Sequence, residues 1–109
     1  MYTSPDDLVS MITSQINSDS LKSYLIELNR FETRNTGSDT LSTTRGIGAA
    51  RTWIESKFKQ FSQRVDNRLL TGYFEFDQDV CEMMRHKNVT ALNPGRKSNE
   101  GLIIIEAHM

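Results

Sequence analysis

Four large aliphatic residues stand in unbroken succession near the end of the chain: Leu102, Ile103, Ile104 and Ile105. Successive side chains of a strand point to opposite faces. A run without polar alternation therefore predicts a strand buried on both faces, as at the centre of a sheet covered by helices. Glu106, Ala107, His108 and Met109 come after the run. Open α/β sheets bind their ligands just beyond the carboxyl ends of their strands, and that is where His108 falls. Neutral imidazole is a common zinc ligand. His108 is thus either a metal ligand or a histidine held by structural hydrogen bonds.

The rest of the 109-residue chain has to supply what such a strand needs, and its length suits one small domain. The net charge is −1, so no basic excess points to a nucleic-acid partner. The aliphatic run is far short of the roughly 20 residues that span a bilayer, so no membrane association is expected. The first residues, through Asp6 and Asp7, are acidic rather than basic and then apolar as in a signal peptide; a mature exported chain reads the same. The single cysteine, Cys81, forms no internal disulfide and reads as a structural or surface thiol.

Taken in order, the chain alternates between clear and ambiguous signals. Residues 1–17 predict an N-terminal helix: Ser4 caps it, Pro5 suits its first turn, and Asp6 and Asp7 complement its positive end. Residues 18–63 predict two helices joined by a loop. The first carries Leu21, Tyr24, Leu25 and Leu28 on one face and ends near Phe31. Residues 32–45, rich in Ser and Thr, form the loop, with only Leu41 to bury; loops of this length are functional or flexible. Residues 46–63 give the strongest helix, with Thr43 or Thr44 as cap and Ile47, Ala50, Trp53, Ile54, Phe58 and Phe61 as its core stripe. Residues 68–109 predict three strands, at 69–77, 88–92 and 102–107. Asn93, Pro94 and Gly95 form a turn after the second, and residues 96–100 an exposed polar loop.

The residues alone do not compose an active site. His86, between Arg85 and Lys87, reads as a surface residue. Asp6, Asp7, Glu27, Glu55, Glu75, Asp77, Asp79 and Glu82 show no paired spacing around His108. A catalytic zinc takes about three protein ligands, and the chain has no His-Glu-x-x-His, Cys-x-x-Cys, Gly-x-Ser-x-Gly or phosphate-binding glycine loop. The sequon at Asn88, Val89 and Thr90 lies inside a predicted strand and is set aside.

Three segments, in this order and spacing, resemble a known family. The first is Leu28, Asn29, Arg30, Phe31, Glu32, Thr33 and Arg34 ahead of the Ser/Thr-rich loop. The second is the helix that runs from Gly46 through Trp53 to Phe58. The third is the turn-bounded strand from Asn88 to Gly95, continued by the aliphatic run into His108. Together they resemble the M28 zinc peptidases of the bacterial leucyl aminopeptidase kind, over residues 20–109. The family continues the last strand as His-x-Asp.

The resemblance implies an α/β fold of the phosphorylase/hydrolase-like zinc exopeptidase type, here truncated to N-terminal helices followed by three strands of a mixed sheet. It implies a parent aminopeptidase that hydrolyses N-terminal peptide bonds with two zinc ions and a peptide substrate. His108 matches the family's metal-ligating histidine, and no catalytic residue lies within the chain. The 109 residues are expected to be inactive alone, to bind zinc weakly or not at all, and to self-associate through residues 102–107 as an unpaired edge. Arg34 is expected to tie the loop down. The resemblance favours a secreted or periplasmic location. The competing expectation is a non-catalytic α+β interaction module in which His108 is structural.

Overall fold

The structure, a computed structural model, describes residues 4–96 and 101–109. These fall into two compact units, residues 1–30 and 31–109.

The first unit holds two helices. Helix α1, Pro5–Ser14, starts as the sequence dictates: Ser4 is extended and its Oγ accepts from the Asp7 N–H at 3.1 Å. Helix α2, Ser18–Arg30, begins with Asn17 Oδ1 accepting from Ser20 N, and Arg30 pairs with Glu27 at 2.6 Å in its last turn. Neither helix buries a residue. Leu8, Met11, Ile12, Leu21 and Leu25 all stay exposed despite their helical spacing.

The second unit is built on helix α3, Gly46–Gln63, whose bounds are those expected from the sequence. Its start is not capped by Thr43 or Thr44. Arg45 holds the cap position without a side-chain bond. The orphan N–H groups of the first turn are met by the preceding loop instead. Gly46 N donates to Phe31 O, Ile47 N to Ser38 Oγ at 2.8 Å, and Gly48 N to Asp39 O at 3.1 Å. The Ser/Thr-rich loop is therefore folded onto the helix. Asp39 braces it by accepting from Leu41 N and Ser42 N, and these two N–H groups hold its carboxyl below the usual carboxylate range.

Gly46, Ile47, Ala49, Ala50, Arg51 and Ser62 are the buried residues of α3, while Trp53, Ile54, Phe58 and Phe61 are half-buried. Trp53 packs against the buried ring of Phe31, centroids 6.3 Å apart. Ser62 ties the end of the helix to the start of the hairpin: its Oγ accepts from Leu69 N and donates to Leu69 O.

Strands β1, Leu70–Val80, and β2, Met83–Leu92, pair antiparallel from Leu70 opposite Leu92 to Asp77 opposite Arg85. Residues 78–87, which lie between the two expected strands, extend this hairpin. Between Asp77 and Val80 the register slips by one, so Gln78 and Asp79 oppose Met84 alone; this is a β-bulge. Cys81 and Glu82 make the two-residue turn, both at positive φ (54° and 61°). A turn of that hand normally selects Asn and Gly. One face of the hairpin, carrying Tyr73, Glu75, Arg85 and Lys87, lies toward α3. The opposite face leaves Leu70, Phe74 and Leu92 at least half exposed.

His86 is the largest fully buried side chain, 2% exposed, and not a surface residue. It sits opposite Phe76, ring centroids 5.5 Å apart, and its Nε2 lies 2.8 Å from both Gln78 O and Met83 O. Carbonyl oxygens only accept, so Nε2 carries the proton. One N–H thus clamps the bulge to the strand beyond the turn, holding together the irregular end of the hairpin. His86→Ala is expected to lower stability by about 1–3 kcal/mol through the lost hydrogen bonds and packing. A urea unfolding midpoint equal to the parent chain's would contradict that role.

The third expected strand is not in the sheet. Among the described residues the sheet has two strands, and residues 101–109 have no regular secondary structure. Leu102, Ile103, Ile104 and Ile105 are 71–93% exposed. A strand buried on both faces needs a ladder partner and cover on two sides. Here α3 covers only one face of the hairpin. The polar loop expected over residues 96–100 lies, except for Arg96, outside the described residues. No helix among the described residues is long and apolar enough to cross a membrane.

Candidate functional site

His108, the residue the sequence nominates, is exposed within residues 101–109. Among the described residues no group of three or more His, Cys, Asp or Glu side chains is arranged to hold a metal ion. His108 offers one imidazole where a catalytic zinc takes about three protein donors. The described residues by themselves therefore do not make a zinc site.

The structure gathers polar side chains elsewhere. An open cleft of about 350 Å³ runs between the loop, α3 and the hairpin, with Thr40, Arg51, Thr52, Tyr73, Arg85 and Lys87 among its lining residues. The strand period of two brings Tyr73, Glu75, Arg85 and Lys87 to this face. The helical period turns Arg51, Thr52 and Glu55 toward them.

Most of the charge here is internally matched. Arg85 reaches Asp77 at 3.1 Å and Glu75 at 3.3 Å, and Lys87 reaches Glu75 at 3.3 Å. Hydrogen bonding from Lys87, then its charge, lowers the Glu75 carboxyl's pKa, while Asp77 raises that of Arg85. The Lys87 ammonium also lies 5.2 Å from the Tyr73 ring centroid. On the helix side Glu55 pairs with Lys59 at 2.8 Å. That bond, and a second one from Tyr73, keep its carboxyl below the usual range. The Tyr73 pKa is pushed up to about 12, chiefly by burial and then by its bond to Glu55. Tyr73 therefore stays a protonated donor near neutrality.

Arg51 is the exception. It is 7% exposed, its Nε is buried without a hydrogen-bond partner, and no carboxylate pairs with it among the described residues. Burial lowers its pKa, with Tyr73 acting in the opposite sense. A guanidinium nonetheless remains charged at any ordinary pH. The sequence carried a signal for this burial: Arg51 lies four residues after Ile47 and three before Ile54, on the apolar stripe. Arg34 is half-buried in the folded loop.

Relatives are found among fungal proteins. The chain is 38% identical over 72 residues to a probable zinc metalloprotease of Pyrenophora teres f. teres, covering 66% of this chain and 16% of the relative. It is 35% identical over 99 residues to a probable zinc metalloprotease of Pyrenophora tritici-repentis, covering 88% of this chain and 23% of the relative. A probable zinc metalloprotease of Phaeosphaeria nodorum is 33% identical over 72 residues, 66% of this chain and 14% of the relative. The chain thus spans less than a quarter of the length of these relatives. No family model and no solved structure matches it.

Proposed function

We propose that this chain is a segment of a zinc-dependent peptidase, and within that class of an aminopeptidase of the M28 kind that removes N-terminal residues. The observation that carries the proposal is its 35% identity, over 88% of its length, to a fungal protein named a probable zinc metalloprotease. The order of the loop, the Trp53 helix and the aliphatic run into His108 supports the finer reading. In that reading the segment supplies the helix α3 scaffold and His108 as one zinc ligand, with the other ligands coming from residues outside these 109. No chemical step can be assigned to the described residues.

The test uses the complete product of the gene that encodes these residues, assayed with leucine p-nitroanilide and with an N-blocked fluorogenic peptide. Chelator-sensitive release of p-nitroaniline, restored by zinc and abolished by His108→Ala, is expected. Cleavage of the blocked peptide alone would overturn the aminopeptidase reading, and chelator-insensitive or absent hydrolysis of both would overturn the peptidase reading. The 109-residue chain is expected to hydrolyse neither.

A further inference from the structure

We infer that the Arg51 cleft is a carboxylate-binding site. Three observations converge on it. Arg51 is more than nine-tenths buried, yet its Nε has no partner and no carboxylate faces it among the described residues. A buried cation without a counter-charge is costly and is ordinarily paired. The neighbouring acids are already engaged, Glu55 by Lys59 and Tyr73, and Glu75 by Arg85 and Lys87. The cleft that Arg51 lines is open to solvent and large enough for a small anion or the end of a peptide.

The chemistry of the lining selects the ligand. A guanidinium presents a planar fork that matches a carboxylate with two parallel hydrogen bonds. Tyr73 and Thr52 add hydroxyls at the same cleft, the Tyr73 proton being donated to Glu55 and the Thr52 proton to Gly48 O, so the guanidinium is the group that donates to the ligand. Lys87 and Arg85 also line the hairpin side, where Glu75 and Asp77 neutralise them, so Arg51 carries the unmatched charge. Leu41 and Met83 supply apolar walls against which a short side chain or methyl group rests. The ligand is therefore a monocarboxylate, either free in solution or borne by a peptide. This inference does not depend on the peptidase proposal, because it rests on Arg51 and its neighbours alone.

The test tracks the Arg51 Nε–Hε resonance of the labelled 109-residue chain by NMR. Sodium acetate, N-acetyl-alanyl-alanine and its C-terminal amide are titrated separately, with sodium chloride as the ionic-strength control. Saturable shifts with the free-acid peptide and none with the amide are expected. Acetate shifting the signal equally well would assign the site to free carboxylates, and acetate failing would assign it to peptide-borne ones; both support the inference. Arg51→Lys keeps the charge and loses the fork, so Thr52 and Tyr73 amide shifts in that variant should need at least tenfold more ligand. The inference is overturned if neither carboxylate gives a saturable shift, or if Arg51→Lys binds as tightly as the parent. Arg51→Met is expected to fold with unchanged or higher stability, since it removes an uncompensated charge, and to show no carboxylate response. A response equal to the parent's in that folded variant would also overturn it.

Discussion

Gly48→Ala should destabilise the second unit by about 1–3 kcal/mol, the range for overpacking a close contact, even though alanine is intrinsically the better helix former by about 1 kcal/mol. A Cβ built on Gly48 would lie 2.4 Å from Thr40 O and 2.6 Å from Thr40 C. Those are backbone atoms, so no side chain can swing aside. Either the helix or the loop has to move. Moving the loop breaks the bonds from Ile47 N to Ser38 Oγ and from Gly48 N to Asp39 O, each contributing about 0.5–1.5 kcal/mol. Gly46 is under the same constraint twice over: its φ is +82°, and a Cβ there would lie 2.6 Å from Asp39 O. Gly72 is the control, since a Cβ there meets nothing within 4 Å.

The measurement is thermal unfolding together with hydrogen exchange at the amides of residues 47 and 48. At about 4–8 °C per kcal/mol for a unit of this size, the Gly48→Ala midpoint should drop clearly while Gly72→Ala holds. Both amides should exchange faster in the Gly48 variant. A Gly48→Ala chain as stable as its parent would mean that the loop does not cap the helix.

The same contact explains what the sequence could and could not disclose. Helix α3 was legible end to end because Ile47, Ala50, Trp53, Ile54, Phe58 and Phe61 repeat at helical spacing. Its capping was not legible. The groups that satisfy Ile47 and Gly48 are Ser38 and Asp39, which lie too far back in sequence to fit the pattern of a local cap. The hairpin was half visible. Residues 69–77 and 88–92 alternate as strands, but the turn at Cys81 and Glu82 lacks the Asn and Gly that mark its type. Without that mark the pairing of residues 78–87 could not be read, and neither could the burial of His86, which depends on Gln78 O and Met83 O being brought to it.

Arg51 shows the opposite failure. Its place on the stripe beside Ile47 and Ile54 was in plain view, and its charge argued for solvent. Folding put the loop and Tyr73 over it. For His108 the sequence pointed to a zinc ligand through resemblance, and the structure puts it among exposed residues, in no group of three or more metal-donor side chains among the described residues. A metal site is a set of residues distant in sequence, so one ligand cannot be judged from its own strand.

The exposed aliphatic run leads to the second large effect, self-association of the 109-residue chain. Leu102, Ile103, Ile104 and Ile105 are 71%, 90%, 74% and 93% exposed. Burying four such side chains is favourable by roughly 6–12 kcal/mol at about 1.5–3 kcal/mol each. Association costs about 4–15 kcal/mol in lost freedom and ordering. The run by itself is therefore marginal, and something further has to tip the balance. The hairpin supplies it: among the described residues both strands have free edges in a two-stranded sheet, and Leu70, Phe74 and Leu92 stand 59%, 62% and 50% exposed on the face away from α3. A run from one copy laid along a hairpin edge of another gains backbone pairing and apolar cover together. The expected result is concentration-dependent dimers or larger species between roughly micromolar and millimolar chain, the range in which binding is worth about 4–8 kcal/mol. Sedimentation equilibrium measures it directly. Ile103→Lys with Ile105→Lys places two charges on one side of the run and should leave the chain monomeric throughout that range. Phe74→Lys, which leaves the run intact, should weaken association without abolishing it. A parent chain that stays monomeric at millimolar concentration would rule out this pairing, and so would a doubly substituted chain that associates as strongly as its parent.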